Sequence, residues 1–273
     1  MRKFLVAALL ALGTLTATMA EAGATLNRVM ATKTLKVATN GAWPPQSFLD
    51  DRNQLVGFDI DVANEVARRL GVKTRFDTPD WATMTGGHWH GRWDVAIGSI
   101  TPTKARSQVV SFASVYYYSP YVFVVHRNSK ARTAADLNGK KIGVETATTS
   151  EDYIRRRLAI DDPGAPPVKY LVNPGQVHTY ADSMLPFDDL RLGDGVRIDA
   201  VLAPEQTALR AIKSGYPIKI IPNTIAYKEP LAIVTDKDDP QWTAKLHDVI
   251  QAMRADGTLG NLTRKWYGRD YTQ

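Results

Sequence analysis

Residues 94–108, DVAIGSITPTKARSQ, combine side chains that suit the recognition of an anion. The segment reads as a short buried strand that ends in small residues, and a helix is predicted around Lys104. Ser99 and Thr101 offer hydroxyls, and Arg106 offers a planar guanidinium that matches a carboxylate. Unpaired N–H groups at the helix start would add positive potential. The alternative is a capped helix with a solvated arginine.

Residues 144–150, VETATTS, repeat this arrangement, because they too end a strand and open a helix with hydroxyls. In open α/β sheets, ligands bind beyond the carboxyl ends of the strands. We therefore expect the two strand ends to converge on one ligand carboxylate across a cleft. Trp43, in a Pro-Pro loop, and Trp81, after the third strand, are candidate aromatic walls of that cleft. The alternative for each is a core tryptophan.

Two other pairs of polar residues, His88 with His90 and Lys228 with Glu229, are not predicted to form functional sites. His88 and His90 are spaced to share a metal, but no clear third ligand accompanies them and glycines flank the segment, so no metal site is predicted. Lys228 and Glu229 lie near a predicted connecting strand and are expected to be solvated. No cofactor is predicted either.

Strands alternate with helices along the chain, which predicts parallel sheets with helical crossovers. Residues 41–48, GAWPPQSF, are expected to be irregular, and Asp59 is expected to cap a helix that ends before Gly71. The strands at residues 121–125 and 231–235 are expected to connect two α/β units.

The composition is that of a folded, exported protein. The chain has 273 residues, a formal net charge of +6 and no cysteine. Its basic residues are interleaved with acids, so no nucleic-acid partner is predicted. Residues 1–22 combine a basic start, a short apolar run and an Ala-Glu-Ala end, which predicts a cleavable signal peptide and a periplasmic location.

The ordered motifs of the chain resemble the periplasmic solute-binding proteins of ABC importers, specifically the branch that binds polar amino acids. The resemblance runs from about Lys33 to Tyr267. Its most specific pieces are LKVATNGAWPPQSFLDD, LVGFDIDVANEVARRLGV, WDVAIGSITPTKARSQVVSFASVYY, DLNGKKIGVETATTSEDY, VRIDAVLAP and ADGTLGNLTRKWYG.

This resemblance implies a type II two-lobe fold, with two parallel-rich α/β sheets joined by a two-strand hinge. Residues 23–119 and 230–273 would form lobe 1, and residues 120–229 would form lobe 2. The protein would be a monomer that closes around an amino acid or related small carboxylate and delivers it to an inner-membrane ABC permease.

The resemblance also implies roles for individual residues. Arg106 and Thr101 match contacts to the ligand α-carboxylate, as does Thr149 with its neighbours Thr148 and Ser150. Trp43 and Trp81 match aromatic walls, and Gly98 and Ser99 match residues whose backbone meets the ligand amine. The residues so implicated are Trp43, Trp81, Gly98, Ser99, Thr101, Arg106, Thr148, Thr149 and Ser150.

Two positions depart from the family pattern. Relatives usually carry an acid for the ligand ammonium after the strand RIDAVLAP, where this chain has Pro204 followed by Glu205. Many relatives also have an acid where Asn40 stands. Because an unpaired buried ammonium is costly, either Glu205 or Glu145 replaces the missing acid, or the ligand is not an ordinary α-amino acid.

An enzyme is the main alternative. The same fold in the cyclohexadienyl dehydratases uses a carboxylate at the start of a lobe 2 helix, and Glu151 stands near that place. A glutamate there also suits the first turn of a helix in a plain binding protein, and no nucleophile–base pair stands out. We therefore predict a binding protein rather than an enzyme.

Overall fold

The structure is a computed structural model that describes residues 23–162, 165–237 and 239–272. The predicted signal peptide at residues 1–22 lies outside this part of the chain. None of the helices within these three ranges is long and apolar enough to cross a bilayer.

The strands belong to one large mixed sheet and one small antiparallel sheet. They are β1 (Thr34–Ala38), β2 (Ala42–Trp43), β3 (Ser47–Leu49), β4 (Leu55–Val56), β5 (Lys73–Asp77), β6 (Val95–Ile100), β7 (Val110–His126), β8 (Lys141–Glu145), β9 (Gln176–Tyr180), β10 (Ala200–Pro204) and β11 (Ile218–Asp236).

The helices pack on the faces of the large sheet and are mostly short. They are α1 (Ala24–Thr32), α2 (Phe58–Leu70), α3 (Trp81–Thr85), α4 (Thr149–Ile154), α5 (Leu185–Leu190), α6 (Glu205–Lys213), α7 (Pro240–Ala255) and α8 (Thr258–Tyr267). Single 3-10 turns occur at Arg106–Gln108 and Ala134–Leu137.

Two long strands join the halves of the large sheet. The strand order is β5-β1-β6-β11-β7-β10-β8-β9, with β7 and β11 antiparallel at the centre. The outer pairs β1–β5, β1–β6, β8–β9 and β8–β10 are all parallel. The two predicted connectors are thus segments of β7 and β11, and the predicted α/β fold with a two-strand hinge is confirmed.

The hydrophobic core divides at the same two strands. Two buried clusters, one around Phe58 and Trp242 and one around Trp89, draw their residues from positions 26–117 and 231–271. Two further clusters, around Phe123 and Phe187, draw theirs from positions 121–227. Because none of these clusters mixes the two sets, each half of the sheet has a core of its own.

The prediction of a helix around Lys104 is wrong, because the chain there forms a loop with a single 3-10 turn. The backbone of this loop instead pairs with residues 159–161, since Asp161 N donates to Pro102 O (2.9 Å), and Thr103 and Ile160 form an isolated antiparallel bridge. Backbone groups that reach across to another segment are not available for helical hydrogen bonds.

Two other local predictions need correction. Within residues 41–48, which we expected to be irregular, β2 and β3 form a small hairpin around the cis Pro44–Pro45 bond. Gly57, rather than Asp59, precedes α2, with φ of 137° and no room for a Cβ beside Gln46 O. Asp59 instead turns its buried carboxyl inward.

Candidate functional site

A cavity of about 260 Å³ lies where the carboxyl ends of β6 and β8 meet beside the hinge strands. Nine of the predicted site residues line it: Asn40, Trp43, Trp81, Ser99, Thr101, Arg106, Glu145, Thr148 and Thr149. The remaining lining residues are Ala82, Tyr121, Thr146, Ala147, Ala181 and Glu229. Both strand ends therefore open into one chamber, as the sequence predicted.

Three predicted site residues lie outside the lining. Gly98 is packed against the Met84 side chain, and Ser150 shares a hydrogen bond with the Thr148 hydroxyl (2.7 Å). Glu205 begins α6 and accepts a hydrogen bond from the Tyr271 hydroxyl (2.7 Å), with Arg269 at 3.5 Å. Glu205 is therefore engaged with the C-terminal segment and does not face the ligand cavity.

Glu229 was wrongly expected to be solvated. It is 2% exposed and lines the cavity, whereas its neighbour Lys228 is exposed, with its ammonium over the Tyr118 ring. The reason is the alternation of side chains along β11, which turns Tyr227 and Glu229 to the same side. If the predicted strand at residues 231–235 had been extended toward the N-terminus, this alternation would have predicted that the Glu229 side chain is buried.

The Glu229 carboxylate joins the two strand ends. Its Oε1 accepts hydrogen bonds from the Thr101 hydroxyl, which follows β6, and from the Thr149 hydroxyl (2.5 Å), which begins α4. Burial raises the pKa of Glu229, while hydrogen bonds from Thr101, Thr149 and Tyr121 act against that rise. Since both threonine hydroxyls donate to Glu229, they are not free to donate to a ligand in this arrangement.

Arg106 is the cation of the cavity. Its Nη1 donates to Thr101 O (3.0 Å), and its guanidinium carbon lies 5.2 Å from the centre of the Trp81 ring. Within the described chain, no carboxylate oxygen lies within 4.0 Å of its guanidinium nitrogens. Burial lowers the pKa of Arg106 and the charge of Glu229 opposes this shift, so the guanidinium stays charged.

Glu145 faces the cavity from the end of β8. Burial raises its pKa to about 7, and the nearby charge of Asp182 adds to the rise. Its carboxylate has no hydrogen-bond donor or cation among the residues that the structure describes. The Trp43 indole N–H is likewise buried without an acceptor in that part of the chain. Both groups are therefore available to a bound molecule.

Each strand end contains a residue other than glycine in the left-handed region. Ser99 has φ of 53° and Ala147 has φ of 57°, and both line the cavity. Such backbone is costly and is retained where other contacts hold it, often at functional sites. Ser99 is held by Asp59, whose Oδ2 accepts from its hydroxyl (2.9 Å), and Ala147 is held by Glu151, whose Oε2 accepts from its N–H (2.8 Å).

Three residues were considered for catalysis or metal binding, namely Glu151, His88 and His90. Glu151, the candidate catalytic carboxylate, pairs with Arg155 (2.8 Å) as well as with Ala147 and is absent from the cavity lining. His88 and His90 lie with ring centres 6.4 Å apart, and no cluster of three metal-ligating side chains occurs in the described ranges.

Comparison with known proteins agrees with this geometry. A family model described as "Bacterial extracellular solute-binding proteins, family 3" matches residues 35–269. The chain is 30% identical over 250 residues to the L-cystine-binding protein TcyJ of Escherichia coli K12, covering 91% of this chain and 88% of that protein. That relative is named as a binding protein and not as an enzyme.

Solved structures extend the likeness to the whole fold. An ancestral arginine-binding protein bound to arginine has a TM-score of 0.71 at 31% identity, covering 86% of this chain and 99% of that one. An ancestral amino acid-binding protein, described as a precursor of cyclohexadienyl dehydratase, has a TM-score of 0.73 at 26% identity, covering 89% of this chain and 99% of that one. By its matched family model and its relatives, the chain belongs to family 3 of the bacterial extracellular solute-binding proteins.

Proposed function

We propose that this protein is the periplasmic substrate-binding component of an ABC importer and captures an amino acid or related small carboxylate. The observation that carries the proposal is Arg106, a charged guanidinium that faces the cavity and has no carboxylate partner within 4.0 Å in the described chain. A ligand carboxylate is the group that best matches its planar fork. Relatives named as binding L-cystine and arginine support an amino acid.

The proposed mechanism is capture by hinge closure. Residues 23–119 and 230–273 form lobe 1 and residues 120–229 form lobe 2, in keeping with the separate cores on either side of the hinge. Trp43 and Trp81 cover the aliphatic part of the ligand, and the Trp43 N–H gains an acceptor. Only the closed state makes the contacts of both lobes, so the ligand stabilises it.

Delivery completes the proposed role. The signal peptide at residues 1–22 directs export, and the mature monomer passes its ligand to an inner-membrane ABC permease. A dehydratase activity is not favoured, because Glu151 is committed to Ala147 and Arg155.

A thermal-shift screen of refolded, ligand-stripped protein tests this function. The panel contains the common amino acids, opines, small carboxylates and prephenate. A ligand at a hundred times its Kd adds about 2.7 kcal/mol to the free energy of unfolding, which raises the melting temperature measurably. A shift with an amino acid or small carboxylate supports the proposal. No shift with any member, or turnover of prephenate, would contradict it.

A further inference from the structure

The charges that line the cavity do not balance. Among the described lining residues, the acidic and basic side chains are Arg106, Glu145 and Glu229. When all three are ionised, one positive and two negative charges leave the cavity with a net charge of −1. A zwitterionic ligand leaves that excess unchanged, whereas a ligand of net charge +1 removes it.

Glu229 lacks a cation although it has many donors. Hydroxyls surround it, and the described part of the chain places no ammonium or guanidinium nitrogen within 4.0 Å of it. Neutral donors orient a buried carboxylate but supply no opposite charge, so burial remains the main influence on its pKa. Arg106 is nonetheless close enough to act on Glu229 electrostatically.

Arg106 and Glu229 together are therefore complementary in charge to the carboxylate and ammonium of an amino acid. An α-carboxylate and an α-ammonium are attached to one carbon, so the groups that bind them must lie side by side. Pro204 occupies the place where the sequence comparison expects the ammonium-binding acid, and Glu205 is turned toward Tyr271. Of the two described lining acids, Glu229 is the one whose charge acts on Arg106.

Glu145 remains for a second cationic group. It stands on the other half of the sheet, at the end of β8, with neither a donor nor a cation in the described ranges. Closing the cavity around a ligand removes still more water from this carboxylate. Such burial costs less free energy when the ligand brings a positive charge to the carboxylate.

We propose that the ligand is an amino acid with a second cationic group. Its carboxylate binds Arg106, its α-ammonium binds Glu229, and its side-chain ammonium or guanidinium binds Glu145. This inference rests on the proposed function, because it assigns the ligand class of the same cavity. In this assignment Glu229 takes the role of the acid that is missing at Pro204, and the two cationic groups of the ligand neutralise Glu229 and Glu145.

Isothermal titration with matched ligands tests the inference. Ligand-stripped protein is titrated with L-arginine, L-lysine and L-ornithine, with L-citrulline as the neutral isostere of arginine, and with L-glutamine and L-glutamate. We expect at least one cationic amino acid to bind about tenfold or more tightly than every neutral or acidic one, since a close charge pair is worth at least that factor.

Two variants and a control then assign the charges. Glu145→Gln should bring the arginine-to-citrulline affinity ratio close to one, while Glu229→Gln should weaken both ligands by about tenfold or more. Asp182→Asn is the matched control, because Asp182 is exposed, near Glu145 and outside the cavity lining, and it should not lower the ratio. A melting curve for each variant checks that it is folded.

The outcomes separate this inference from the proposed function. If a neutral or acidic amino acid binds most tightly, or if Glu145→Gln leaves the ratio unchanged, the inference is wrong while the proposed function stands. If none of these amino acids binds, the inference is wrong, and the proposed function then depends on the small carboxylates and other amino acids of the thermal-shift panel.

Discussion

The ends of β6 and β8 look alike in sequence and differ in what they do. Each strand ends beside the cavity, each continues into hydroxyl residues, and each holds one residue other than glycine at positive φ, Ser99 or Ala147. After β8, the chain enters α4 directly at Thr149. After β6, it forms a loop that pairs with residues 159–161 and carries Arg106 back to Thr101.

Because of this difference, the two strand ends contribute different charged groups to the site. The β6 end supplies the positive charge, and the β8 end supplies the lone carboxylate Glu145. Glu229 on β11 holds the two ends together through Thr101 and Thr149. Similar strand-end sequences can therefore provide opposite halves of one binding site, because the segment that follows each strand determines which side chain returns to the cavity.

Asp59 and Glu151, the carboxyls that hold the two strand ends, should make the free energy of unfolding depend on pH with opposite signs. Burial raises the pKa of Asp59 to about 7, despite hydrogen bonds from Tyr116 and Ser99, so its contribution to stability is present below the unfolded pKa and is lost as pH rises toward 7. Between pH 4 and pH 8, this effect should lower the free energy of unfolding of the parent by about 4 kcal/mol, and Asp59→Asn should abolish that loss. Denaturant unfolding curves at each pH measure the difference.

Glu151 provides the contrast. Burial acts to raise its pKa, but the Ala147 N–H and Arg155 outweigh it and the pKa is lowered, so its contribution is lost as pH falls. Glu151→Gln should therefore reduce the loss of stability below about pH 4.5. If the free energy of unfolding of Asp59→Asn or Glu151→Gln depends on pH in the same way as that of the parent, these assignments are wrong.

The guanidinium at the β6 end should dominate ligand affinity. Arg106→Ala removes the cation that faces the ligand carboxylate, and we expect binding to weaken by about 3 kcal/mol, or more than a hundredfold. Titration calorimetry measures the loss. Lys104→Ala, an exposed cation of the same loop, is the control and should bind like the parent. An Arg106→Ala variant with parental affinity would refute the anchoring role.

Both threonines should couple to Glu229 if its carboxylate bridges the strand ends. Thr101→Val and Thr149→Val each remove one hydroxyl from the Glu229 carboxylate at little change in volume, and each should lower the free energy of unfolding by about 1.5 to 3 kcal/mol. Double-mutant cycles with Glu229→Gln, evaluated by chemical denaturation, should show coupling for both. Coupling for only one threonine would confine Glu229 to that strand end.

The two left-handed residues should differ in the sign of their response to glycine. Ala147→Gly relieves the positive φ and keeps the backbone N–H bond to Glu151, so it should stabilise the protein by about 1 kcal/mol. Ser99→Gly also relieves strain but removes the hydroxyl that bonds Asp59 and Tyr117, so it should destabilise. Melting temperatures that move in the same direction would refute this distinction.

Periodicity and strand alternation predicted two α/β units with connecting strands, and the family resemblance predicted the two-lobe arrangement. The α/β alternation, the two connectors and most of the cavity lining followed from the sequence, because strands with hydroxyl ends and amphipathic helices such as α2 carry local signals. The loop after β6 did not, because its conformation depends on backbone bonds to residues 159–161, more than fifty positions away.

The acids of the site were the hardest residues to predict. Glu229 looked solvated because a charged pair near a connector usually is, and only the length of β11 reveals that its side chain turns inward. Glu205 looked available because it follows Pro204, yet its partner Tyr271 comes from the far C-terminus. Side-chain partners that are remote in sequence leave no local signal.

Small-angle X-ray scattering is the most direct test that both strand ends close on one ligand. The radius of gyration of the ligand-stripped protein is measured without ligand and with a saturating amino acid identified by the thermal-shift screen. We predict a decrease on binding for the parent and for Lys104→Ala, and no decrease for Arg106→Ala at the same ligand concentration. An unchanged radius in the parent at saturation would contradict capture by closure.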